Sequence, residues 1–181
     1  QNSDGETALM FACFNGLTEV VIELLKVDGI NVNVQDSNGE TALMRACFNG
    51  LTEVALELLK VDGHDINVQD RDGWTALIMA CFNGLTEVVI ELLKVDGINV
   101  NVQDSNGETA LMLACSEGHA DTALALLRDP RVDRHIKRSD GSNALAWARN
   151  KGLTAVVTLI EAWDRGDERM PLVKVHHRYL H

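Results

Sequence analysis

The sequence predicts an all-α solenoid in which five similar units stack side by side. Two observations carry this prediction. Near-copies of one segment recur at a step of 34 residues, each opening on a glycine that precedes a short apolar run: Gly5, Gly39, Gly73, Gly107 and Gly141. Each copy also contains two apolar stretches with helical spacing, yet it is too small to bury its own apolar side chains. Neighbouring copies must therefore cover one another.

Each of the first four copies begins with a short helix that a threonine can cap. The hydroxyl precedes the apolar run, which is the expected signal for a helix N-terminus, at Thr7, Thr41, Thr75 and Thr109. The helix in the second copy, about residues 42–48, is too short to be stable alone, so packing must hold it. An Asn-Gly pair follows in the first three copies and predicts a tight turn, because glycine tolerates positive φ.

A longer amphipathic helix follows the turn. In the first copy its apolar residues fall at positions i, i+3, i+4, i+7 and i+8, namely Leu17, Val20, Val21, Leu24 and Leu25. Glu19, Glu23 and Lys26 occupy the opposite side and predict a solvated outer surface with a weak Glu23–Lys26 pair.

The loop after this helix connects one copy to the next. In the first copy, Val32 and Val34 alternate with polar residues, which predicts a short extended segment before the Ser-Asn-Gly turn.

The repeated unit resembles an ankyrin repeat. The family pattern runs D-x-x-G-x-T-P-L-H-x-A-A-x-x-G, then an apolar helix ending in LL and a loop ending in V-N. The second copy matches it at Asp36, Gly39, Thr41, Leu43, Ala46, Gly50, Val54, Leu58, Leu59, Ile66 and Asn67. The usual Pro is replaced by Ala and the usual His by Met or Ile, so we expect apolar packing where the family's histidine links neighbouring copies.

The resemblance spans residues 2 to 165 and implies both a fold and a binding surface. The implied fold is an ankyrin-type helix-turn-helix solenoid of five stacked repeats with β-turn or hairpin fingers. In this family the fingers and the first helices form a concave face that grips protein partners. His119 restores the family's Gly-His pair, for which the resemblance implies a local structural hydrogen bond.

We predict one repeat domain at residues 1–169 and a C-terminal tail at 170–181. The domain divides into repeats 1 to 5, at about residues 2–36, 37–70, 71–104, 105–138 and 139–169. The tail carries three histidines and several apolar residues, and its sequence is compatible both with disorder and with a strand-like cover.

The two ends of the predicted stack differ. Repeat 5 carries polar residues that suit an end cap facing water, at Asn150, Lys151, Thr154 and Thr158. Residues 1–6 offer no comparable cap, so the first repeat is expected to expose an apolar face. This predicts self-association through the N-terminal end, or a truncated stack.

The four cysteines share one slot in the repeat, at Cys13, Cys47, Cys81 and Cys115. Stacked helices lie about 8–10 Å apart, which is farther than a disulfide can span. We therefore predict buried free thiols, which favours a reducing, cytoplasmic location.

Charge is unevenly distributed. Residues 1–120 contain 5 Lys and Arg against 19 Asp and Glu, whereas residues 121–181 contain 11 against 8. An acidic body repels phosphate backbones, so we expect a basic protein or peptide partner and no nucleic acid. No apolar run reaches 18 residues and no signal-peptide pattern opens the chain, which argues against a membrane segment.

No sequence motif indicates catalysis. Phosphate-binding loops, metal-binding pairs and nucleophile elbows are missing from the sequence. The carboxylates recur in register, whereas catalysis needs unlike groups in one pocket. We expect no enzymatic activity, no cofactor and no metal.

Positions that differ between otherwise similar copies are candidates for partner contacts. The candidates are Phe11, Arg45, Met79 and Leu113 in one slot, Trp74 in a second, Arg71 and Asp72 at a turn tip, and the aromatic column Phe14, Phe48 and Phe82. Aromatic and arginine side chains dominate interface energetics. We expect Arg45 to stack on Trp74. The phenylalanines fit partner contacts and core packing equally well.

The sequence therefore predicts a protein-binding module without chemistry of its own. Two alternatives remain. Residues 12–44 and 80–112 are identical, which indicates either a recent duplication or an engineered scaffold for stability, folding or assembly. The chain also fits a regulatory appendage cut from a longer channel or enzyme.

Overall fold

The computed structural model describes residues 1–167, and the predicted tail at 170–181 lies outside them. The described residues form ten helices and no strand. The helices are α1 (Ala8–Phe14), α2 (Thr18–Leu25), α3 (Ala42–Phe48), α4 (Thr52–Leu59), α5 (Ala76–Phe82), α6 (Thr86–Leu92), α7 (Ala110–Ser116), α8 (Ala120–Leu127), α9 (Ala144–Asn150) and α10 (Thr154–Asp164). They make five helix pairs, as the all-α solenoid prediction requires.

The helix pairs stack in register. Each first helix packs on the first helix of the next repeat, so α1, α3, α5, α7 and α9 form one layer. The second helices α2, α4, α6, α8 and α10 form the other layer in the same way, and the two helices of each repeat also contact each other. The core is the continuous slab between these layers.

The predicted threonine caps are confirmed. The hydroxyl of Thr7 accepts a hydrogen bond from the backbone N–H of Met10, and the threonines of the next three repeats do the same. Asn143 caps α9 in repeat 5. Where the family pattern has histidine, Met10 is buried and its sulfur lies 3.4 Å from the Thr7 backbone nitrogen. Methionine therefore closes the cap of its own helix while filling the core.

The cysteine column lies in the centre of the slab. All four thiols are buried and free, as predicted. Burial raises the pKa of Cys13, Cys47 and Cys115 to about 12, and burial also raises the pKa of Cys81 well above its usual value.

The predicted extended segment forms no strand in residues 1–167. Val32 is buried and packs into the core, and Val34 is partly buried against it. The finger instead closes as a turn, in which the backbone N–H of Gly39 donates to the carbonyl of Asp36. Neighbouring fingers are joined by backbone bonds such as that from Ser37 N–H to the carbonyl of Asp4, 2.8 Å long.

A column of asparagines connects the loops of successive repeats. The Asn67 side-chain amide donates to the carbonyl of Gly97 at 2.9 Å, and its side-chain oxygen accepts from the N–H of Asn99 at 2.7 Å. The same pair of bonds recurs at Asn33 and Asn101. Each asparagine satisfies backbone groups of the next repeat and thereby helps to set the register of the stack.

The first repeat exposes side chains that are buried elsewhere. Val20 is 46% exposed, whereas Val88, its counterpart in the identical segment of repeat 3, is 0% exposed. No described residue packs on this side of repeat 1. The predicted apolar stripe of α2 is therefore fully buried only at Val21. We call this surface the terminal face; it comprises the exposed residues Phe11, Leu17, Val20 and Val27.

Candidate functional site

An aromatic ridge runs along the first helices, with three phenylalanines at the C-terminal ends of α1, α3 and α5 and a tryptophan just before the N-terminus of α5. We define it as Phe14, Phe48, Trp74 and Phe82. Phe14 is 53% exposed and Phe48 is 49% exposed. Repeats lie on both sides of Phe48, so its exposure is not an effect of the stack end. Half-exposed phenylalanines in this position provide a surface that a partner can bury.

Trp74 joins two of these phenylalanines into one cluster. Its ring centroid lies 6.4 Å from that of Phe48, in an edge-on arrangement, and 5.2 Å from that of Phe82. Its indole N–H donates to a carboxylate oxygen of Asp104 at 3.0 Å. Trp74 is therefore held in place before any partner binds, which lowers the entropy cost of binding.

The predicted contact between Arg45 and Trp74 is wrong. The Arg45 guanidinium lies over the ring of Phe14, 5.8 Å from its centroid. It pairs with Glu6 at 2.6 Å and with Asp36 at 2.5 Å, and its Nε lies 3.4 Å from a carboxylate oxygen of Glu40. These carboxylates on both sides of the junction between repeats 1 and 2 hold the guanidinium away from the indole.

The finger aspartates keep the turns closed and differ in protonation behaviour. Asp36 accepts hydrogen bonds from the backbone N–H groups of Asn38 and Glu40. Burial alone would raise the pKa of Asp36, but these bonds and the Arg45 guanidinium lower it. Asp70, one repeat later, has a raised pKa because burial outweighs its backbone hydrogen bonds.

Comparing equivalent positions of the repeats placed in one group several residues whose surroundings differ in the structure. Phe11 belongs to the terminal face, whereas Met79 and Leu113 in the same slot are buried by the repeat that precedes each of them. These two side chains are core residues in the structure and offer a partner no surface. Arg71 and Asp72 are exposed at the tip of the third finger.

Asp70 was not recognised as a candidate from the sequence, and only the 34-residue recurrence of Asp in the fingers could have indicated it. Glu6 and Glu40 belong to the same variable slot as Trp74, but their contacts with Arg45 were not predicted.

His119 links two repeats. Its ring Nε2 lies 3.0 Å from the carbonyl of Phe82 in the preceding repeat, so its bond crosses a junction rather than staying local as expected. Within residues 1–167 no group of three His, Cys, Asp or Glu side chains is arranged to hold a metal ion. The helices of this part of the chain are also too short or too polar to cross a membrane.

Comparisons with known proteins agree with the geometry. The sequence matches the family description "Ankyrin repeats (3 copies)" over residues 1–70 and 54–137. No curated protein sequence matches the chain. Among solved structures, the chain is similar to the crystal structure of EF0377, an ankyrin repeat protein. The two share 29% sequence identity with a TM-score of 0.79, over 89% of this chain and 82% of that one.

Proposed function

The chain belongs to the ankyrin repeat family, and we propose that it binds a protein or peptide through the aromatic ridge and the adjoining fingers. Ankyrin repeats are generally protein-interaction modules, and the family is typically non-catalytic. The finer assignment, to this surface and to a basic partner, rests on the residues of this chain.

The exposure of Phe48 is the observation that carries the proposal. A side chain flanked by repeats on both sides could have been covered, yet half of it faces solvent beside the held indole of Trp74. Aromatic anchors of this kind supply much of the free energy of protein–protein binding. Burying the exposed half of such a ring is favourable because apolar surface leaves water.

The charge around the ridge favours a basic partner. Residues 1–120 contain 19 acidic against 5 basic residues, and the carboxylates of Glu6, Glu40 and Asp70 lie on the finger side of the ridge. Complementary charge accelerates association and selects among partners. The matching ligand is therefore a segment with apolar and basic side chains. The buried thiols fit a reducing compartment, and we propose a cytoplasmic location.

A peptide selection tests the proposal. Peptides of mixed apolar and basic composition would be selected by display, and the tightest would be titrated by calorimetry. Phe48→Ala is expected to weaken binding by about tenfold or more. Ile90→Ala is the matched control, because Ile90 is also an exposed apolar residue but lies on the second helix α6. Equal binding by both variants and the unaltered protein would contradict the proposal.

The terminal face supports a second candidate function, self-association. Its residues are exposed here, whereas at the equivalent positions of repeat 3, next to repeat 2, Met79 and Val88 are buried and Leu85 and Val95 are partly buried. We expect the average mass in sedimentation equilibrium to rise with protein concentration and Val20→Glu to abolish the rise. A mass independent of concentration would rule this candidate out.

A further inference from the structure

The junction between repeats 1 and 2 shows how this scaffold holds a guanidinium group. Arg45 pairs with Glu6 and Asp36, lies over the ring of Phe14, and approaches Glu40 with its Nε. Its side chain is only 11% exposed. Carboxylates and an aromatic face thus surround the planar guanidinium, in which only the buried Nε lacks a hydrogen bond.

The same positions recur 34 residues later with two informative changes. Glu40, Phe48 and Asp70 repeat the two carboxylates and the phenylalanine. Trp74 stands where repeat 2 has a glutamate, and the buried Met79 stands where it has Arg45. The second junction thus keeps the groups that contact a guanidinium, lacks the internal arginine, and gains an indole, the aromatic group that attracts cations most strongly.

The acidic groups at this second junction are incompletely compensated. One oxygen of Asp70 accepts from the backbone N–H groups of Asp72 and Trp74, and within residues 1–167 no ion pair joins Asp70 to a basic side chain. Burial, followed by repulsion from Asp36, raises the pKa of Glu40, and Asp70 adds to this repulsion. Glu6, Asp36 and Glu40 thus share the single guanidinium of Arg45, which leaves Asp70 outside that group of contacts.

The two following junctions use their acidic groups within the chain. Asp104 also has no ion pair within residues 1–167, but its second carboxylate oxygen accepts the indole N–H of Trp74, which is a neutral donor. At the next junction Arg138 occupies the position equivalent to Asp104 and pairs with Glu108 at 3.2 Å. Asp70 therefore differs from Asp36, Asp104 and Arg138 at the equivalent positions, because no side chain within residues 1–167 is seen bonded to its carboxylate.

We infer that the partner inserts an arginine side chain between Asp70 and Glu40, against the faces of Phe48 and Trp74. This inference rests on the proposed function and names the chemical group that the ridge recognises. Arginine is favoured over lysine because its planar guanidinium can bridge two carboxylates and stack on aromatic rings at once, as Arg45 does one repeat earlier.

The test uses a small probe, Nα-acetyl-arginine N-methylamide, followed through the Trp74 indole N–H signal in NMR spectra. Trp74→Phe identifies that signal. A saturable shift with a dissociation constant on the order of 1 mM is expected for such a small ligand. The uncharged citrulline analogue is expected to cause no shift, and the lysine analogue a weaker interaction. Equal binding of the lysine and arginine analogues would overturn the assignment to arginine.

Three variants sharpen the test. Asp70→Asn should weaken probe binding about tenfold. It should leave the turn intact, because Asn2 already accepts the same two backbone hydrogen bonds at the equivalent position of repeat 1. Met79→Arg should abolish binding by supplying an internal guanidinium. Arg45→Met should add a second probe site at Glu6 and Asp36.

The outcome also separates this inference from the proposed function. One outcome is that a selected peptide loses affinity for the Phe48→Ala protein and yet binds the Asp70→Asn protein as tightly as the unaltered one. If replacing the peptide's own arginines with alanine also leaves its affinity unchanged, the arginine assignment is overturned. The proposed function would still stand, because the peptide would still bind through the ridge. If Met79→Arg does not fold, the Asp70→Asn titration decides the matter alone.

Discussion

The identical segments of repeats 1 and 3 allow one substitution to be compared in two environments. Val→Ala shortens the side chain by two carbon atoms, and burying each of them contributes about 0.8 kcal/mol of transfer free energy to stability. At Val88, which is 0% exposed, the loss and the cavity left behind should together cost about 2–3 kcal/mol. At Val20, which is 46% exposed, about half of the transfer free energy is lost and no enclosed cavity forms, so the cost should stay below about 1 kcal/mol.

Urea unfolding followed by circular dichroism would measure both costs, as shifts of the midpoint at constant slope. The double variant serves as the control, because distant independent sites should add within about 0.5 kcal/mol. Equal costs at the two positions would refute the reasoning, since they would mean that the terminal face is covered in solution.

Four further predictions follow from the site and the core. Asp36→Asn should destabilise the protein by about 1–3 kcal/mol, because Arg45 loses a charged partner. The stabilisation from Asp36 should disappear as pH falls through its lowered pKa. Asp70→Asn should be neutral or stabilising above the raised pKa of Asp70, because ionisation of Asp70 destabilises the folded state there. Asn67→Ala should cost about 0.5–1.5 kcal/mol, because two solvent-exposed backbone groups of repeat 3 exchange their hydrogen bonds to Asn67 for hydrogen bonds to water. At pH 8 the four thiols should not react with Ellman's reagent until the protein unfolds, because burial raises their pKa.

Each of these predictions has its own check. A larger loss for Asp70→Asn than for Asp36→Asn in thermal melts at pH 7 would contradict the role given to Arg45. Asn38→Ala is the control for Asn67→Ala, because Asn38 lies exposed in a finger and no hydrogen bond is seen for its side chain within residues 1–167. Rapid reaction of any thiol in the native protein would show that the cysteine column is accessible.

Regularity made much of the fold predictable. The 34-residue period and the apolar spacing indicated the helix pairs, and the threonine before each short run indicated its cap. The burial of the cysteines was predictable for the same reason, because equivalent positions of internal repeats have equivalent neighbours. The alternation of Val32 and Val34 did not predict the backbone correctly, because Val32 lies in a turn and is buried there without pairing to a strand.

The environment of each variable residue was harder to predict. The slot shared by Phe11, Arg45, Met79 and Leu113 was recognisable, but its burial depends on whether another repeat covers it and on which charges that repeat brings. Arg45 contacts Glu6 rather than the indole because opposite charges at hydrogen-bond distance outweigh stacking at a partly buried position. Such pairings cross a junction, and comparing copies one slot at a time overlooks them.

Burial is unequal along the stack. All seven residues of α7 are buried, whereas α2 contributes only Val21. Amide hydrogen exchange should therefore be fastest in the first repeat and slowest in the fourth, with opening that proceeds inward from one end. A ligand that contacts both Phe14 and Phe48 would hold repeat 1 against repeat 2. It would therefore slow amide exchange throughout repeat 1, including at residues that it does not contact.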